Sequence, residues 1–270
     1  LAKLERGQFI MIREGTAARN LEALMPLLCD KYAERCMFCT DDKHPSDLLE
    51  KGHIDYIARE AINKYGVDPI IAVKAACHHA SRYFLLNNRG AIAPGYLADF
   101  AVIDNFKDFN VEMVFKKGVL YWNNGELHDF DAPQIEEYLD KRAHDTFHVA
   151  TLTPDDFRDT RQRGVLGMVP GEIITTDNGY ADHVDLEKDI LKIAVVERHK
   201  GTHHIGLGYI QGYGLRSGAV ATSISHDSHN IIVVGTNSAD MAFAANHIVE
   251  HHGGIVVVEN GVVKGSVVLE

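Results

Sequence analysis

The hydrophobic period of this chain changes near residue 88, and that change constrains the fold more than any other feature. Before it, apolar runs at 8–12 and 36–40 have the make-up of buried strands. They alternate with segments of helical period at 17–28, at 46–49 resuming over 53–65, and at 68–78. Thr16 is placed to cap the first helix, and Asp68-Pro69 offers a cap followed by a first-turn proline for the last. Strand, helix, strand, helices is the order of parallel β/α units. Closing a β/α barrel takes eight strands and about 250 residues, so two units predict only the last portion of such a barrel, with its earlier strands upstream of residue 1.

After residue 88 the pattern is short and β-like, at 98–103, 112–116 and 119–122, broken by Gly90, Pro94-Gly95 and Gly118. A small β module is expected. Residues 133–142 have helical period, and around 150 the chain turns polar, as at a domain junction. Beyond it a separate α+β domain is expected, with a strand at 231–235 and a helix capped by Ser238 and running to about 252. A hairpin of 255–258 with 262–268 should turn at Asn260-Gly261. The expected organisation is 1–88, 89–130, 131–150 as a linker or helix, and 151–270. No internal repeat or low-complexity stretch interrupts it.

The 270 residues are 46% hydrophobic and 24% charged, enough for one large or two ordinary domains with a sizeable core. With 27 basic and 38 acidic residues the net charge is −11, which repels phosphate and argues against nucleic acid as a partner. A neutral or small substrate is expected. No run of 18 apolar residues occurs, and Lys3, Glu5 and Arg6 make the start unlike a signal peptide, so the expectation is a soluble cytoplasmic protein with no membrane partner. Cys36 and Cys39 have the spacing of a zinc or redox pair, but Cys-Met-Phe-Cys-Thr reads better as a buried strand with reduced thiols.

Chemistry-bearing residues gather in a few places. Asp41-Asp42 follows the second apolar run directly, where a β/α barrel carries its catalytic groups. A carboxylate there can ligate a divalent metal and take a proton from metal-bound water, while its neighbour holds a substrate; equally, the pair can cap a helix or turn a loop. The second constellation is His226-Asp227-Ser228-His229-Asn230, in a loop before a strand. It can bind a metal, close over a substrate, or form a hydrogen-bonded turn in which Asp227 and Asn230 satisfy the backbone. His203-His204 reads as an ordinary loop, His78-His79 as packing or capping, and His251-His252 as cations at a helix end with Gly253 as the left-handed cap. Arg13-Glu14 ends the first strand, near the same face as Asp41, and an internal ion pair explains it equally well.

Three stretches carry a resemblance to a known family. Cys-Thr-Asp-Asp-Lys-His-Pro at 39–45 is similar to the end of barrel strand eight in the amidohydrolase superfamily. Gly90-x-Ile-x-Pro-Gly-x-x-Ala-Asp99 resembles that superfamily's return to its small β-sandwich, continued by 114–119. With Met-Ile-Arg-Glu-Gly-Thr-Ala-Ala-Arg-Asn at 11–20 and the 226–230 motif, the whole chain looks like part of the bacterial adenine deaminase family. The resemblance implies the last strands of a metal-dependent (β/α)8 amidohydrolase barrel, part of a small β-sandwich, and an α+β C-terminal domain. It further implies hydrolysis of adenine to hypoxanthine and ammonia in purine salvage, at a binuclear centre of manganese or iron in the whole enzyme, and a homo-oligomer.

By the same resemblance Asp41 is the metal ligand and general base, and Asp42 is catalytic and holds a ring nitrogen of adenine. His226, Asp227 and His229 contribute to substrate binding. The family's other ligands include a His-x-His pair, which this sequence does not contain, so the chain alone is expected to be inactive. Two rival readings are another metal-dependent amidohydrolase, such as a cyclic amide hydrolase, and a non-catalytic module; the 120-residue tail argues against the first.

Overall fold

In the computed structural model, which describes residues 1–128 and 134–269, the chain forms two units, Leu1–Ala132 and Pro133–Glu270. The two apolar runs of the first unit pair in parallel as β1 (Ile10–Arg13) and β2 (Cys36–Cys39), with Ile10 opposite Cys36 and Arg13 opposite Cys39. Parallel neighbours need a crossover. It is made by a short helix, Leu21–Leu24, and two 3-10 turns, Met25–Leu27 and Ala33–Arg35. The helix expected over 17–28 is therefore shorter and starts later. Thr16 does not cap it: its hydroxyl donates to Asp47 Oδ2 at 2.6 Å and accepts from the His44 amide at 2.9 Å. Pro26, with no amide hydrogen to offer, sits where the α-helix gives way to the tighter turn.

The helices expected after β2 form at Pro45–Lys51 and Ile54–Asn63. Ile57, Ala58 and Ala61 share one face of the second and are fully buried, in one core with Ile12, Phe38 and Leu21. Complete burial of a side chain such as Ile12 or Ile57 contributes about 1.5–3 kcal/mol. Asp68 caps the next helix, accepting from the Ile70 and Ile71 amides at 2.8 and 3.1 Å, with Pro69 in the first position. That helix continues beyond residue 78, through a wider π-turn segment at Lys74–His78, to Tyr83. His79 is buried and its Nδ1 lies 2.9 Å from the Cys36 carbonyl, so it packs the helix onto β2. Cys36 and Cys39, three apart on a strand, point to opposite faces. All four cysteines are free, and burial, with the nearby Cys29 adding, pushes the Cys36 thiol up to about 11.

The small β module is an antiparallel meander of β3 (Phe100–Ile103), β4 (Val111–Lys116), β5 (Val119–Asn123) and β6 (Glu126–Leu127). Lys117 and Gly118, both with positive φ (50° and 78°), form the two-residue turn between β4 and β5. Asp99 fastens this module: it accepts from the Lys117 amide at 2.7 Å and pairs with Arg89 at 3.1 Å. Gly90 approaches the preceding helix so closely that a Cβ there would meet the Cys77 carbonyl and the Ser81 side chain, the latter at 2.5 Å. Phe109, from the β3–β4 loop, belongs to the same buried core as β1 and β2.

The second unit is built on an eight-stranded sheet of β7 (Arg163–Met168), β8 (Thr175–Ala181), β9 (Ile190–Val196), β10 (Ile205–Gln211), β11 (Ala219–Thr222), β12 (Ile231–Gly235), β13 (Gly254–Glu259) and β14 (Val262–Val268). Their order is β14-β13-β11-β12-β9-β10-β7-β8, antiparallel except where β7 lies beside β10. The Ser238–Glu250 helix covers one face, burying Met241, Ala244, Ala245 and Ile248 against Ala219, Val233 and Val256. Its cap is Asn237, one residue earlier than expected, whose side chain accepts from the Asp240 amide at 2.8 Å. Its other end closes on His252, not Gly253: His252 has φ 54°, its amide reaches the Val249 carbonyl, and the Gly253 amide reaches that of Ile248.

Residues 129–133, at the end of the expected β-sandwich segment and the start of the expected linker, lie outside the described residues. The remainder of that linker is tied into the second unit. A helix forms at Glu137–His144, the Thr146 carbonyl and hydroxyl accept from Arg198, and the Leu152 backbone exchanges hydrogen bonds with the Asn246 side chain.

Candidate active-site residues

Parallel pairing of β1 with β2 brings the ends of both strands to one edge, so Arg13 and the residues after Cys39 become neighbours. Asp41, in the left-handed region at φ 50°, receives Arg13 Nη1 on Oδ2 at 3.0 Å, and Arg13 Nε is held by Asn20 Oδ1, also at 3.0 Å. Among the described residues Arg13 makes its ion pair with Asp41 across the strands, and not with Glu14 as expected. Asp41 keeps 41% of its side chain exposed, so its carboxylate is reachable from solvent.

Asp42 is used differently. Its two oxygens accept from the amides of Thr16 at 3.1 Å, Ala17 at 2.9 Å and Ala18 at 3.1 and 3.3 Å, which folds the turn after β1 around a carboxylate. Partial burial opposes ionisation of Asp42, but the amides of Ala17, Ala18 and Thr16 outweigh it and hold its pKa below the ordinary value. Gly15 makes the approach possible, because a Cβ there would collide with Asp42 Oδ1 and lie 2.9 Å from the Thr40 carbonyl. Thr16 extends the network to Asp47, whose carboxyl the hydrogen bonds from Lys51 and Thr16 hold down to about 2. Thr40 Oγ1 meets His53 Nε2 at 3.2 Å.

The sequence marks Asp41 and Asp42 by position. It does not mark the amides of Thr16, Ala17 and Ala18, because a main-chain donor set leaves no residue-type signature beyond the small side chains of Gly15, Ala17 and Ala18. A hard carboxylate oxygen such as Asp41 suits manganese, iron or zinc. Among the described residues, no set of three His, Cys, Asp or Glu ligand atoms gathers around it, so Asp41 fits such a site as one ligand of a larger set.

His226, Asp227 and His229 belong to the second unit, in the loop between β11 and β12. The rings of His226 and His229 meet edge to face with centroids 4.9 Å apart. Arg198 organises the loop, donating from Nε to the His229 carbonyl and from its amide to Asn230 Oδ1 at 3.4 Å, while its guanidinium lies 4.2 Å from the Phe147 ring centre. His199 Nε2 donates to the Ser228 carbonyl at 2.8 Å. Asn230 thus serves the backbone as a turn residue does. Asp227 is exposed and makes no hydrogen bond or ion pair among the described residues. His229 lines a cavity of about 830 Å³ together with Arg198, Thr146, His144, His251 and His252. Arg198 carried no sequence signal, being one arginine in a polar turn. His203 pairs with Asp156 at 3.0 Å, in keeping with an ordinary loop.

Residues 8–121 match the amidohydrolase family. That match falls within the first unit. Residues 171–270 match the adenine deaminase C-terminal domain, and the chain is similar along nearly its whole length to curated adenine deaminases. It is 41% identical to that of Kosmotoga olearia over 99% of this chain and 47% of the relative, and 42% identical to that of Petrotoga mobilis over 96% and 47%. It is 41% identical to that of Dehalococcoides mccartyi strain 195, over 99% of this chain and 48% of the relative. The chain spans about half the length of the curated relatives it matches. The amidohydrolase match thus lies in the first unit and the match to the adenine deaminase C-terminal domain in the second.

Proposed function

We propose that this chain is the part of an adenine deaminase that carries the last strands of the (β/α)8 barrel, a portion of the β-sandwich and the C-terminal α+β domain. The protein containing it would hydrolyse adenine to hypoxanthine and ammonia, in purine salvage and in the cytoplasm. The observation that carries this reading is Asp41, a solvent-reachable carboxylate just beyond the end of a parallel strand, in a chain about 40% identical to curated adenine deaminases along its length. A divalent metal, manganese or iron, supplies Lewis acidity and lowers the pKa of water toward neutrality.

Asp41 is the residue of this chain that would hold the metal and shuttle the proton to the departing ammonia. Arg13 fixes one of its oxygens and so sets the direction of the other. Asp42 has the position for a substrate contact, but both its oxygens are engaged by main-chain amides. In this proposal its work is to fasten the turn after β1 against Asp41, and a contact to a ring nitrogen of adenine would compete with those amides. His226, Asp227 and His229 are proposed as substrate contacts from the second unit, on the strength of the paired imidazoles and the unengaged carboxylate. The test is ammonia release from adenine by the full-length protein containing this chain: Asp41→Asn should abolish it, and full activity in that variant would overturn the assignment.

A further inference from the structure

We propose that the C-terminal end of the Ser238–Glu250 helix binds one zinc-type divalent cation through His247, Glu250 and His251. Positions i, i+3 and i+4 lie on one helix face, and here one potential ligand atom from each residue falls within 4.8 Å of the others, the single such group among the described residues. Two imidazoles and a carboxylate are a donor set suited to tetrahedral zinc, with the fourth position left for water. In a zinc tetrahedron neighbouring ligand atoms are about 3.3 Å apart, given bonds of roughly 2.0–2.1 Å, so separations of 4.8 Å or less are within reach of side-chain rotation.

Further observations fit a cation and not a surface cap. His247 Nε2 is buried and has no hydrogen-bond partner. An unsatisfied buried nitrogen is costly, and a metal would satisfy it. His251 Nδ1 lies 2.9 Å from the His247 carbonyl; with the hydrogen on Nδ1 donated there, the ring is oriented and Nε2 is left as a free lone pair, the arrangement that supports ligating histidines. The two rings are side by side, with centroids 4.1 Å apart. The negative end of the helix macrodipole favours a cation at this place. The helix is closed by the His252 and Gly253 amides, so the His251 ring is not needed for capping.

The experiment is zinc titration of the metal-stripped 270-residue chain against a chromophoric chelator, with cobalt as a spectroscopic substitute. One zinc per chain is expected, with visible cobalt ligand-field bands of tetrahedral type. Binding should weaken at least about tenfold in His251→Ala and in Glu250→Gln, and remain in Asp41→Asn and His229→Ala. Glu250 is exposed, so its variant decides the matter should His251→Ala fail to fold. No zinc binding by the unaltered chain, binding unchanged in Glu250→Gln, or binding lost in Asp41→Asn or His229→Ala would overturn the proposal.

Discussion

Arg13 Nη1 and Asp41 Oδ2 are 3.0 Å apart across the ends of two parallel strands, and both side chains are partly open to solvent, at 33% and 41%. Exposed pairs of this kind contribute about 0–1 kcal/mol. Arg13→Gln and Asp41→Asn should therefore each change the unfolding free energy by less than about 1 kcal/mol in urea denaturation. A larger loss would mean that the pair holds the fold together and would remove the argument that Asp41 is kept for chemistry.

Asp42 should behave in the opposite way. Its carboxylate satisfies three main-chain amides, and hydrogen bonds to a charged group contribute about 1.5–3 kcal/mol when one partner is removed. Asp42→Ala is expected to destabilise the first unit within about that range, read as a lower denaturation midpoint with an unchanged slope. Because the folded pKa is depressed, this contribution is present above the unfolded value and is lost as pH falls through the folded one. The difference between Asp42→Ala and the unaltered chain should accordingly shrink below about pH 4, and a difference that grew on acidification would contradict the assignment.

Gly15 and Asp42 form one unit, since a Cβ at 15 would occupy the space of Asp42 Oδ1. Gly15→Ala should lower stability, and combining it with Asp42→Ala should add little beyond the larger single effect, because both remove the same turn. Strict additivity in the double-mutant cycle would show that the glycine acts elsewhere.

Much of this arrangement was legible in the sequence, and the parts that were not share a physical cause. Strands β1 and β2, the Asp68-Pro69 helix start and the Asn260-Gly261 hairpin rest on local pattern, and local pattern reports them. The helix expected from Thr16 failed because the Thr16 hydroxyl is bound by His44 and Asp47, about thirty residues away, a partnership no window around residue 16 contains. Strands β7 and β8 went unseen for a related reason. Gly164 and Gly167 in β7 and Asp177-Asn178-Gly179 in β8 are residue types depleted in strands, and their pairing is set by neighbours in the sheet. In the candidate site, position exposed Asp41, whereas the employment of Asp42 by main-chain amides left almost no trace in residue type.

Asp240 links two elements of the second unit, accepting from the Gly261 amide at 2.8 Å and the Asn260 amide at 3.2 Å while Asn237 Nδ2 donates to it at 2.9 Å. Burial raises its pKa, but the Asn237 side chain and the two turn amides outweigh that and leave it depressed. Asp240→Ala should cost about 1.5–3 kcal/mol by loss of these bonds, with the effect fading as the solution is acidified through the folded pKa. Differential scanning calorimetry at neutral and acid pH checks it; an equal penalty at both would contradict the charge-based account.

The first unit also leaves apolar side chains open, among them Leu49 at 90%, Leu85 at 76% and Ile92 at 92%. Among the described residues its β1–β2 sheet has two strands and therefore unpaired edges. The 270-residue chain by itself should self-associate, visible as concentration-dependent sedimentation, and a monomer at all concentrations would count against this.

The central claim is that Asp41 serves an adenine-hydrolysing site in a protein of which this chain is a part. Its most direct measurement is ammonia release from adenine, with manganese added, by this chain and by the full-length protein containing it, each beside its Asp41→Asn variant. The account predicts activity in the full-length protein alone, abolished by Asp41→Asn with stability changed by less than about 1 kcal/mol. Absence of activity in both, or full activity retained in Asp41→Asn, would contradict it.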